Sequence, residues 1–269
     1  MLDQMTYHFV LRGQLNRLKH FPLGKKELLT SILKNKERPL AEEVQWLDKI
    51  ENLRKSLVND FRPLNVIDYG AGSPWSRTLK NLTNNGKKQT RSVSEVCQIA
   101  SKTPVWAHLL FRIIRVLKPK LCLELGTSLG ISALYQAAAL EMNQAGLLIT
   151  LEGSPPQALL ARNHFIQLQL AHRIRSEIGK FQEQLPSVLS SLKSQIDYAF
   201  IDGHHLSEAA LNYFQQILPY LSNRAVIILD DISWLKMKKA WRVISGHPAV
   251  TTPVDLFHLG ICFIQKGKD

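Results

Sequence analysis

From Lys120 onward the chain alternates short apolar runs with stretches of helical length, and few folds accept that pattern. Strand-like runs fall at 121–125, 147–152, 197–202 and 225–230, with weaker ones near 173–178, 250–255 and 261–265. Helical stretches separate them at 130–142, 155–169, 181–193 and 206–220, and a further helix is expected over 236–245. Runs such as AVIILD at 225–230 are apolar at nearly every position. That suits a parallel sheet buried on both faces better than a strand with one wet side. The expected fold class is α/β: a doubly wound, mostly parallel, Rossmann-like sheet of seven strands. In such a sheet, ligands lie outside the carboxyl ends of the strands, where the winding reverses.

The first 118 residues read differently, as a basic and mainly helical extension or cap (1–118) ahead of the α/β domain (119–269). In PLAEEVQWLDKIENLRKSL, Leu40, Val44, Leu47, Ile50, Leu53 and Leu57 recur at steps of three and four behind Pro39, the mark of a one-faced helix. Ser92 and Glu95 have capping-box spacing, so a short helix should follow them and break before Pro104. Trp106 to Leu117 predicts another helix, closed by Pro119. Between these lies VIDYGAG at 66–72, a short strand and a glycine turn followed by Pro74 and Trp75. No second strand with a terminal acid follows at nucleotide-site distance. The turn therefore serves a tight bend, or it brings Asp68, Tyr69 or Trp75 to the mouth of a ligand cleft.

The formal net charge is +12, and all of it lies early. Residues 1–120 hold 22 Lys and Arg against 10 Asp and Glu, whereas the remainder holds 12 of each. Such a surface is either simply solvated or attracts an anionic partner such as RNA or acidic lipid. The 3 cysteines, Cys97, Cys122 and Cys262, form no CxxC pair, and two lie in apolar runs, so neither a disulfide framework nor zinc is expected. No stretch has the length of a transmembrane helix or the pattern of a signal peptide, and a cytoplasmic location is the expectation.

The segment LELGTSLGIS joins a strong strand to a strong helix. Gly126 permits a tight turn, and Gly130 permits close approach at the helix start, whose free N–H groups favour an anionic group. The next strand ends in Glu152, 22 residues after Gly130, where an acid can accept both hydroxyls of a ribose. The glycine spacing is not that of a dinucleotide site.

These features resemble the class I S-adenosylmethionine-dependent methyltransferases. The segments LELGTSLGIS, FIDGHH and VIILDDISW together resemble the catechol and caffeoyl-CoA type of small-molecule O-methyltransferase and its bacterial relatives. The likeness covers residues 120–269, and the first 118 residues look like the long extension of a bacterial subgroup. It implies a methyltransferase sheet in which Glu124, Gly126 and Ser128 lie against the methionine part of S-adenosylmethionine. Ser132, in the helix that Gly130 opens to the cofactor, would bind its carboxylate and Glu152 its ribose, while Gly179 and Phe181 would frame its adenine. Lys180, between those two, departs from the family's usual small residue or acid.

Asp202, Asp230 and Asp231 end neighbouring strands, which in a parallel sheet lie about 5 Å apart. Three convergent carboxylates repel unless a cation or hydrogen-bond donors intervene. Oxygen ligands of this kind suit Mg²⁺ or another hard divalent cation. In the resembling family these places hold two acids and an amide on Mg²⁺, so Asp231 is a departure. Alternatively, Asp202 touches the cofactor and the Asp pair caps a helix. His205, where that family often has a lysine, is the candidate base, with Asp202 beside it and His204 as the competitor. Trp234 either walls a planar substrate or belongs to the core, and Trp241 flanks the same helix. The expected substrate is a small hydroxylated molecule, and such enzymes are often homodimers. An RNA-modifying methyltransferase and a cofactor-binding scaffold without catalysis stay open.

Overall fold

A computed structural model describes residues 30–32, 39–69 and 86–267. Pro74, Trp75 and both glycines of VIDYGAG lie outside these, as does much of the basic N-terminal sequence. Among the described residues no helix is long and apolar enough to cross a membrane.

Among the described residues, a helical segment at 30–32 precedes helix α1 (Ala41–Val58), strands β1 (Pro63–Asp68) and β2 (Lys87–Ser92), and helices α2 (Val93–Ala100) and α3 (Pro104–Leu117). The alternating part follows: β3 (Leu121–Leu125), α4 (Ile131–Met142), β4 (Leu147–Glu152), α5 (Pro155–Gln167), β5 (Ile174–Ile178), α6 (Phe181–Ser190), β6 (Ile196–Ile201), α7 (Ser207–Ile217), β7 (Leu221–Leu229), α8 (Lys238–Ser245), β8 (Val250–Asp255) and β9 (Gly260–Ile264). The seven expected strands form one sheet in the order β5-β4-β3-β6-β7-β9-β8. The first five pair in parallel, while β9 runs antiparallel to both β7 and β8. The winding reverses between β3 and β6, so their carboxyl ends frame the crevice expected to hold a ligand.

Burial follows the sequence pattern. All five residues of β3 and the last five of β7 are buried, as covering on both faces requires. The capping box forms: Ser92 Oγ accepts from the Glu95 N–H at 3.1 Å, and Glu95 Oε2 accepts from the Ser92 N–H at 2.8 Å. Helix α3 starts two residues earlier than its apolar pattern, because Pro104 occupies its first turn, where a missing N–H costs nothing. In α1 the predicted stripe is buried only in part: Ile50, Leu53 and Leu57 are covered, whereas Leu40 and Val44 are exposed.

The part before β3 packs as one body with the sheet's helices. Ile50, Leu53 and Leu57 share a hydrophobic cluster with α3 and α4. Tyr135 of α4 donates its hydroxyl to Glu51 of α1 at 2.7 Å. Strands β1 and β2 make a separate antiparallel pair. Strand β2, KKQTRS, has no apolar alternation and its pairing was not expected; among the described residues β1 is its one strand partner.

Candidate functional site

The turn after β3 is locked to the end of β6. Gly126 has φ 109°, a region that side chains avoid, and a Cβ there would lie 2.1 Å from the Asp202 carbonyl oxygen. The Asp202 N–H in turn donates to the Leu125 carbonyl at 2.9 Å. Only glycine lets the two strand ends meet. Gly130, at φ 86°, caps α4, and a Cβ there would come within 2.6 Å of the Phe165 ring.

Glu152, at the end of β4, is held from two sides. Its Oε2 accepts from the Ser128 N–H at 2.7 Å and its Oε1 from the Ser154 N–H at 2.9 Å. Ser128 adopts φ 48° to aim that donor. Burial raises the Glu152 carboxyl, and these backbone donors oppose the rise. Glu124 is wholly buried beneath the turn. It accepts from Thr150 Oγ1 at 2.6 Å and Gln136 Nε2 at 2.5 Å, and Thr150 also meets Thr127 Oγ1 at 2.6 Å. Glu124 thus braces the turn from below. Burial lifts its carboxyl to about 7, with Thr150, Ser132 and Gln136 opposing. Ser132 lies in the first turn of α4.

Gly179 follows β5 and donates its N–H to the Glu152 carbonyl at 2.9 Å. Lys180 pairs with Glu183 at 3.3 Å. Phe181 is buried and stacks edge-on against His204 and Tyr213, each with ring centres 5.8 Å away. His204 accepts or donates at Nδ1 to the Tyr213 hydroxyl at 2.6 Å. Its ring is thus engaged in an aromatic cluster.

The acids converge as their strand ends predict, and they meet a residue that was not expected among them. Lys102, in the connection between α2 and α3, donates from Nζ to Asp230 Oδ2 and lies 3.4 Å from Asp202 Oδ2. Burial alone would lower the ammonium's affinity for its proton, but Asp202, Asp230 and Asp231 raise it well above the ordinary lysine range. Burial pushes Asp230 up, yet Lys102 and neighbouring groups leave it below the usual carboxylate range. Asp202 is pushed well up by burial and by Asp230. Nothing in ASKTP announces this role; a lone lysine in a loop carries no periodic or motif signal.

His205 stands at the edge of this group. Its Nδ1 lies 3.3 Å from Asp231 Oδ2 and its Nε2 4.0 Å from Asp202 Oδ1. Its ring tilts against Trp234 with centres 5.2 Å apart. Burial lowers the imidazole to about 4 and raises Asp231 to about 7, the latter helped by Asp230. Trp241 is occupied elsewhere, donating from Nε1 to Asp255 at 3.1 Å.

The metal-compatible trio among the described residues is Asp202, His205 and Asp230, with ligand atoms within 4.8 Å of one another. Asp231, expected as the third ligand, instead faces His205 Nδ1. A divalent cation on that trio would share its carboxylate oxygens with the Lys102 ammonium. Unit charges of like sign 4 Å apart repel by about 4 kcal/mol in partly buried surroundings, and a dication doubles that. With Lys102 in place, these residues do not fit a resident divalent ion.

The VIDYGAG strand reaches this crevice. The Ile67 N–H donates to Ser154 Oγ at 3.1 Å, just beyond Glu152. The Tyr69 ring lies against Gly153, where a Cβ would come within 2.7 Å of it. The charge of Asp68 is felt at Glu152, His204 and His205.

Residues 123–232 match the family model described as a methyltransferase domain. A catechol O-methyltransferase of Niastella koreensis is 30% identical over 144 residues, covering 53% of this chain. The chain spans 63% of the length of that relative. The Bacillus cereus O-methyltransferase solved with S-adenosylhomocysteine aligns over 88% of this chain and 96% of its own, at 17% identity and a TM-score of 0.58. The O-methyltransferase TomG of Streptomyces achromogenes, involved in tomaymycin synthesis and solved with S-adenosylmethionine, aligns over 62% and 83%, at 18% identity and 0.55. Likenesses at such identity establish the fold.

Proposed function

We propose that this chain, which carries a methyltransferase domain over residues 123–232 and the fold of that family, is an S-adenosylmethionine-dependent O-methyltransferase acting on a small hydroxylated, catechol-like molecule. The observation that carries this reading is Glu152. Its two carboxylate oxygens rest on the N–H groups of Ser128 and Ser154, so it faces the β3 turn already oriented for a ribose. The names of the similar proteins support the choice of cofactor and of oxygen as acceptor.

The cofactor supplies a methyl group on a sulfonium centre, and transfer forms an O–C bond as the C–S bond breaks, leaving S-adenosylhomocysteine. The chain's part is binding, alignment and one proton. Gly126, Ser128, Gly130 and Ser132 border the methionine end, with Glu124 bracing them. Gly179 and Phe181 border the adenine end. His205 takes the substrate's hydroxyl proton. Its burial keeps the imidazole neutral. Nδ1 lies 3.3 Å from Asp231 Oδ2, so the ring proton is assigned to Nδ1 and Nε2 is left as the acceptor. Asp202 stands next to that nitrogen and lies at the switch point, where it can hold both histidine and substrate in line. Tyr69 and Asp68 close one side of the crevice, and Trp234 another.

Calorimetric titration of the purified chain with S-adenosylhomocysteine tests the reading. Micromolar binding, about −8 kcal/mol, is expected. Glu152→Ala should weaken it at least about tenfold, and labelled methyl transfer should follow with catechol-like acceptors. No heat of binding to the folded chain would overturn the assignment.

A further inference from the structure

Three strand-end acids need a positive partner, and in this structure the chain itself provides one. We propose that Lys102 is the resident cation of the site, built into the chain where the resembling enzymes bind a divalent ion, and that its ammonium receives the substrate oxygen. This rests on the methyltransferase reading above.

The geometry is specific. Nζ meets Asp230 Oδ2 and lies 3.4 Å from Asp202 Oδ2, so one point charge bridges the ends of β6 and β7. The lysine side chain retains 15% of its exposure, so it is not sealed from solvent. An ammonium offers three N–H donors and no acceptor. One N–H goes to Asp230, Asp202 shares the charge from 3.4 Å, and a substrate hydroxyl oxygen would take a remaining N–H. The backbone that delivers Lys102 is pinned on both sides. The Ser101 N–H donates to the Cys97 carbonyl at 3.2 Å, and the Thr103 carbonyl accepts from Ala107 at 3.0 Å. Pro104 then fixes the entry to α3. In the transfer, the hydroxyl proton goes to His205 Nε2, the O–C bond forms as the C–S bond breaks, and Lys102 keeps its proton. Its charge stabilises the anionic character that builds on the oxygen. Asp231, where the family has an amide, is then no metal ligand but the partner of His205 Nδ1.

The test is a manganese titration read by electron paramagnetic resonance, on the wild type, Lys102→Ala and the isosteric Lys102→Met. Each sample is checked for folding and for S-adenosylhomocysteine binding. The wild type should bind Mn²⁺ no tighter than about millimolar, and the variants should gain at least about tenfold as the carboxylates lose their ammonium. Affinity within threefold across wild type and variants, whether tight or absent, would overturn the proposal. Should neither variant fold, the wild type alone decides: micromolar Mn²⁺ affinity overturns it and millimolar affinity upholds it. Failure of S-adenosylhomocysteine to bind the wild type would sink the methyltransferase reading separately, since the manganese result does not depend on it.

Discussion

Glu124 shows how one residue can serve the site without facing it. It is fully buried, accepts from Thr150 and Gln136, and supports the turn that carries Gly126 and Ser128. Its carboxyl rises from an ordinary 4.5 to about 7 on folding, chiefly through burial. The folded state therefore holds that proton more tightly than the unfolded one. The associated stability is complete below about pH 4.5, falls as pH rises toward 7, and is gone above it. The loss is on the order of 3 kcal/mol at 1.36 kcal/mol per pH unit. Glu124→Gln mimics the protonated form, and chemical denaturation from pH 4 to 8 should show a flatter profile than wild type. An unchanged slope would mean that another group titrates. Ser128, His204, His205 and Asp231 share another residue-scale feature: all are non-glycine residues with φ between 46° and 66°. Such conformations cost about 1–3 kcal/mol each and gather where function demands them. Here they aim the Ser128 donor at Glu152 and set His205 against Asp231.

At the scale of elements, central strands such as β3 and β7 were legible because they are buried on both faces, and the strand boundaries lie within a few residues of the apolar runs. The sequence pattern failed at β2, whose KKQTRS is polar throughout and becomes a strand only because β1 offers it a ladder. Helix ends were readable where a local device sets them. The Ser92–Glu95 box is one, and Ser92→Ala should cost about 1 kcal/mol, a melting shift of about 2–4 °C. A shift below about half a degree would mean that tertiary packing, through the Ser94 hydroxyl on the Val58 carbonyl at 2.5 Å, holds α2 without its cap. The helix stretch predicted over 206–220 is α7 followed by a 3₁₀ turn, because Pro219 cannot continue the α-helical ladder.

At the scale of the whole molecule, the segment before β3 and the sheet share one site. Strand β1 docks on the loop after β4 through Ile67 and Ser154, and Tyr69 lies over Gly153. Tyr69→Ala should weaken S-adenosylhomocysteine binding by about tenfold, or 1.4 kcal/mol, in calorimetry. A lowered melting temperature with unchanged affinity would show that the ring only packs. Most of the fold, and the turn geometry around Gly126 and Glu152, could be read from residue order, because strand burial, the turn glycines and the strand-end acids are local properties with fixed spacings. The convergence of Asp202 with Asp230 was readable too, since adjacent parallel strands end side by side. Lys102 was not: it lies exactly 100 residues before Asp202 in the chain, and only the packing of α2 and α3 against the sheet brings its ammonium between the carboxylates. Periodicity and spacing encode what neighbours along the chain will do. A single side chain carried in by a loop has no such signature, and its place is decided by which charges the folded core leaves in need of a partner.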